Sequence, residues 1–245
     1  HTSSLFPQNL GESDWSEFEA SGFSIPVTGI VYRDGSANPG MPLGGLGTGF
    51  IALGTDGSLD YYSTIFNAHL ERHHLSDSKD PGKYFARNRS EIPSLKKPFL
   101  GINVDNKSVV LSSIDSNEFT TAKHVDYWGH YPIADLEFEA DIPVNIGLRA
   151  FAPFLPGDSI NSNTPGAIFE VCLRNSSATE QNGSIAFSFH GPRQEEMAFN
   201  AHGLGQVISN RAESQHQRID GDLNGIAVDT KWDGMTYSYV LATSS

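Results

Sequence analysis

Asp135-Leu-Glu-Phe-Glu-Ala-Asp-Ile142 is the stretch that decides the class of this chain of 245 residues. Successive side chains on a strand point to opposite faces, so Leu136, Phe138, Ala140 and Ile142 fall on one side. Asp135, Glu137, Glu139 and Asp141 fall on the other, which predicts a strand buried on its apolar face and solvated on its acidic one. Outward from it, residues 49–53, 59–66, 100–104, 109–114, 144–151, 167–175, 183–190, 225–230 and 237–243 are short runs rich in β-branched and aromatic residues. Between them, 24 Gly and 13 Pro supply turns. About ten such runs predict an all-β fold, a large antiparallel β-sandwich of two facing sheets. Sandwiches reach this length as one unit, so a single domain over 1–245 is expected. Residues 13–20 and the stretch around 194–199 read as short helices or irregular turns, and 76–94 as a long loop.

Composition narrows the partners. Hydrophobic residues make up 38 % of the chain, with 15 Phe and 8 Tyr among them, enough to build a core. A formal charge of −13, from 29 acidic and 16 basic residues, repels nucleic-acid phosphates and anionic lipid. A neutral sugar feels no such field. Cys172 is the sole cysteine, which excludes an internal disulfide and any zinc site of several thiolates. No apolar run has transmembrane length, and no charged-then-apolar signal follows His1, so the compartment stays open, an extracytoplasmic one included. Asn-x-Ser triplets begin at Asn88, Asn106, Asn175 and Asn182 and would matter only in a glycosylating host.

The most unusual segment is Asn38-Pro-Gly-Met-Pro-Leu-Gly-Gly-Leu-Gly-Thr-Gly-Phe50. A phosphate-binding loop would need Lys and Ser or Thr after its last glycine, and a dinucleotide fingerprint a third glycine where Phe50 stands. The residues that follow read as strand, so no helix N-terminus is available for an anion. Two readings remain: glycines that allow positive φ and close backbone approach, or a loop that presents Gly44, Gly45, Gly47 and Thr48 to a neighbouring domain or an active-site mouth.

This loop resembles the glycine-rich signature near the start of family 116 glycoside hydrolases, which include the non-lysosomal glucosylceramidases. A second similarity runs from His130-Tyr-Pro-Ile-Ala-Asp135 through Ile142-Pro-Val144 and Ala150-Phe-Ala-Pro-Phe-Leu-Pro-Gly-Asp158 to Thr164-Pro-Gly-Ala-Ile-Phe169. The resemblance implies a supersandwich-like N-terminal domain packed on a following (α/α)6 domain that carries the nucleophile and the acid/base of a β-glucosidase. The chain stops at Ser245 directly after a strand, so further polypeptide is expected there. Retaining hydrolysis needs two carboxyl groups about 5–5.5 Å apart across the scissile bond. No residue of this chain inherits either role, and neither catalytic residues nor a cofactor are expected in it.

Two clusters complete the candidates. His69-Leu-Glu-Arg-His-His74 runs into a polar loop and is not the helix-borne zinc pattern, so a turn or an interdomain contact through Asn67 and His69 is favoured over a metal site. Asp126-Tyr-Trp-Gly-His-Tyr131 gathers Tyr127, Trp128 and Tyr131 beside polar groups, suited either to stacking on a sugar or to closing one end of the core. The competing function is a stand-alone carbohydrate-binding sandwich.

Overall fold

A computed structural model describes residues 17–33, 40–59, 61–63, 69–70, 99–189, 213–232 and 235–244. In chain order the elements are β1 (Glu17–Phe18), β2 (Val27–Thr28), β3 (Ile30–Arg33), β4 (Met41–Leu43), β5 (Ile51–Leu53), β6 (Tyr61–Ser63), β7 (His69–Leu70), β8 (Phe99–Val104) and β9 (Lys107–Val110). Then come β10 (His124–His130), β11 (Ile133–Glu139), β12 (Val144–Phe151), the single helical turn α1 (Ser159–Ser162), β13 (Ile168–Asn175), β14 (Gly183–Ser188), β15 (Glu213–Ile219), β16 (Leu223–Trp232) and β17 (Met235–Ser244). Every named strand pairing is antiparallel. The all-β sandwich class is therefore the observed one.

The central sheet has the order β13-β12-β11-β10-β3. Residues directly opposite on neighbouring strands share a face, so register sorts its side chains. Tyr127, Leu136, Leu148 and Val171 form one inner row, and Val125, Phe138, Ile146 and Leu173 the next. Against this face pack Leu100, Ile102 and Val104 from the sheet β14-β8-β9, and Met41, Leu43 and Leu53 from the sheet β4-β5-β6-β7. Leu136 and Ile146 are wholly buried at its centre. In a further sheet, β15-β16-β17, Val228 and Thr230 are buried, and the Ser214 and Thr230 hydroxyls lie 3.0 Å apart.

The acidic face of the decisive strand differs from expectation. Asp135 is 1 % exposed, and Arg149 grips it with Nε 2.8 Å from Oδ1 and Nη2 3.0 Å from Oδ2. Glu137 Oε1 accepts from Ser21 Oγ at 2.6 Å and from the Gly22 amide at 2.7 Å. Only Glu139 and Asp141 remain exposed, and the strand ends at Glu139. The reason is tertiary: residues 17–28 lie over this face, so alternation in one strand reports charge but not what covers it. Glu17–Phe18 is accordingly strand where a helix or turn was expected. The expectations for residues 76–94 and 194–199 fall outside the described residues.

Candidate functional site

Three connections meet at one end of the sandwich: β4–β5, β10–β11 and β12–β13. The glycine segment is the connection between β4 and β5, and the chain turns back in it because Gly47 adopts φ +73°, a region open to glycine at little cost. Thr48 closes the turn, its amide and hydroxyl both reaching Gly45 O at 3.1 and 2.9 Å. Gly45 is buried against the segment after α1: a Cβ there would stand 2.6 Å from Asn163 C, closer than real side chains approach backbone. The Leu46 amide donates to Ser162 O at 2.8 Å. The structure bears out the reading of the glycines as positive-φ and close-approach positions, since this packing fixes the loop in place.

The helical turn that receives the loop is itself tied down. Asp158 caps it, accepting from the Asn161 amide at 3.0 Å and from the Asn161 side-chain amide. These two bonds hold its carboxyl below the usual carboxylate value, with the backbone bond the larger cause. Ser162 is buried, and its hydroxyl bridges the Leu155 amide and carbonyl at 2.8 and 3.0 Å. Phe154, next in line, meets the Tyr131 ring edge-on at 5.3 Å, at the two-residue turn between β10 and β11. Among apolar side chains this end exposes Leu46 at 45 %, Tyr131 at 51 %, Leu155 at 51 % and Ile160 at 84 %.

The structure therefore joins some candidates and separates others. Gly44, Gly45, Gly47, Thr48 and Tyr131 belong to this end. Tyr127 and Trp128 are consecutive on β10 and point to opposite faces, Tyr127 into the main core and Trp128 into a smaller cluster with Ala20, Phe23 and Val27. The three aromatics do not form one surface, because a strand sends neighbours to opposite sides. Asn67 lies outside the described residues, as does the His69 side chain, although His69 opens β7. Among the described residues no group of three or more His, Cys, Asp or Glu side chains is arranged to hold a metal ion. Sequence reasoning missed Ser162 and Asn163 as partners of the glycine loop, and Leu155 and Ile160 as exposed neighbours in the same connection. The available signal was Asp158 just ahead of Ser-Ile-Asn, a helix-capping pattern.

A sequence profile for the family described as beta-glucosidase 2, glycosyl-hydrolase family 116 N-term, matches residues 40–244, which include the glycine loop and α1. The chain belongs to that family. No curated protein matches it. As a family 116 N-terminal region it is glycosidase-associated, and its match begins at Gly40, after β1, β2 and β3. No helix among the described residues is long and apolar enough to cross a membrane, a statement that leaves β-barrels aside.

Proposed function

We propose that this chain is a single non-catalytic domain that docks on an (α/α)6 catalytic domain of a β-glucosidase, through the end built from the glycine loop, α1 and the Tyr131 turn. One observation carries the reading: four large apolar side chains from three loops stand exposed at this end, on a base held by the Gly45 and Ser162 contacts. Contiguous apolar exposure of this kind marks interaction surfaces. The family context supplies the partner, because a domain defined as N-terminal in glycosyl hydrolases implies a hydrolase domain beside it.

On the decisive strand, Asp135 is engaged by Arg149 and Glu137 by the 17–28 segment. We therefore assign bond cleavage to the partner domain, and the fragment alone should hydrolyse an aryl β-glucoside no faster than buffer. Calorimetry against a separately expressed helical domain should show association, while cello-oligosaccharides alone should give no heat. Turnover by the fragment, or saccharide binding without the partner, would overturn the assignment. Two of the three candidate stacking rings, Tyr127 and Trp128, are buried and Tyr131 alone of them reaches solvent, which favours docking over a carbohydrate-binding module built on that cluster.

A further inference from the structure

The outer face of the central sheet carries a second arrangement that docking does not use. Residues 17–28 cross this face and are held at three polar points, one of them at the hinge end, where His130 Nδ1 lies 3.0 Å from Thr28 O. Glu137 takes Ser21 Oγ and the Gly22 amide, and Arg174 Nη1 donates to Phe23 O at 2.6 Å and Ser21 O at 3.3 Å. Phe18 lies 6.2 Å from the Trp128 ring, and the Arg149 guanidinium sits 5.8 Å from the Phe23 ring centre. Gly22 rests directly on β12, where an added Cβ would stand 2.5 Å from the Gly147 amide nitrogen. Beneath the segment lie Trp128 at 2 % exposure, the Asp135–Arg149 pair and half-buried Cys172.

We propose that residues 17–28 are a strap that lifts from this face as a unit while the sandwich beneath stays folded, uncovering Trp128, Asp135 and Cys172. Four features favour a separate opening. The strap's own ladder is two residue pairs, Glu17 with Thr28 and Phe18 with Val27. The ladder from β13 to β3 is complete without it, and the main core on the opposite face shares no residue with the cluster the strap covers. Gly29, between β2 and β3, adopts φ +128°, a hinge conformation other residues rarely reach. Closure also leaves the Trp128 indole N–H buried with no acceptor among the described residues, so opening returns that donor to water and is the easier for it. Segments that pack outside the main core can open at a free energy below that of global unfolding.

Cys172 is the sole thiol and sits under the strap, so its reaction with a chromogenic disulfide reagent reads the opening. In the full chain under native conditions, labelling should proceed with little dependence on low denaturant, unlike global unfolding followed by far-ultraviolet circular dichroism. Gly22→Ala cannot seat on Gly147 and should label at least about tenfold faster with the sheet spectrum retained. Glu137→Gln, which keeps the size but weakens the anchor, should accelerate labelling several-fold. The proposal is overturned if labelling follows the denaturant dependence of global unfolding. It is equally overturned if both variants label at the parent rate, or if Gly22→Ala loses the sheet spectrum, since strap and sandwich would then be one cooperative unit.

Discussion

Asp135 shows how one residue can look solvated in sequence and be structural in the fold. Its carboxylate is buried in mid-sheet, and the guanidinium that satisfies it is 27 % exposed, so the pair is dry on one side only. Holding the carboxylate raises the Arg149 pKa further above its usual value, the hydrogen bond to Asp135 being the main cause. Removing one partner of a buried pair strands the other charge, whereas replacing both with apolar groups often does not destabilise. Asp135→Ala should therefore cost about 3 kcal/mol in urea unfolding. The paired change Asp135→Leu with Arg149→Met should recover most of that loss. An Asp135→Ala variant within about 0.5 kcal/mol of the parent, the range of an ordinary surface substitution, would return this residue to the solvated role its sequence suggests.

At the level of elements, α1 gives a pH-dependent test. Asp158 binds Asn161 in the folded chain and is held below its usual value, so the folded form prefers the ionised carboxyl. For a depressed acid the stabilisation is present above the unfolded value and is lost as pH falls through the lower folded one. The Asp158 side-chain carbon should titrate below 3.8 by NMR. Protection of the Leu46 amide, which donates to Ser162 O, should fall relative to the intrinsic exchange rate over the same acid interval, because that carbonyl belongs to the capped turn. Protection at Leu46 unaffected by that titration would uncouple the glycine loop from α1. What could be read of these elements in sequence follows from burial. The span of β12 is the one its apolar pattern predicts, whereas β15, Glu213–Ile219, went unrecognised because it is an edge strand of almost wholly polar residues. β4 was hidden by Pro42, tolerated there because β4 also lies at a sheet edge. β10 was hidden for the opposite reason: both its faces are covered, Tyr127 on one and Trp128 on the other, so no clean alternation exists. The glycine loop stood out in sequence, but its seat on Asn163 depends on a contact between residues more than a hundred positions apart, which no local pattern encodes.

Among the described residues large apolar side chains are exposed at the loop end, along the β13–β14 side, on β16 and β17 (Leu223, Ile226 and Val240) and at Ile25, and the first two compete as the main docking face. Along one side the inner faces of β13 and β14 meet without a covering strand among the described residues. There Phe169 and Phe187 stack at 5.1 Å, with Leu173 at 43 % and Ile185 at 48 % exposure. The loop end instead presents Leu46, Tyr131, Leu155 and Ile160 on turns braced by side-chain and backbone bonds. Rigid loops lose less freedom on association, so equal apolar area yields more affinity there than on an unbraced edge. Ile160→Asp, at the most exposed of these positions, should weaken binding to a separately expressed helical domain at least about tenfold, roughly 1.4 kcal/mol. Its effect on the fragment's own stability should stay within about 0.5 kcal/mol, as for an exposed site. Ile185→Lys should leave that affinity within a factor of about two, a loss of less than about 0.5 kcal/mol. Titration calorimetry of both variants decides between the faces: loss of affinity on Ile185→Lys with none on Ile160→Asp would move the docking surface to the β13–β14 edge and detach the glycine loop from it.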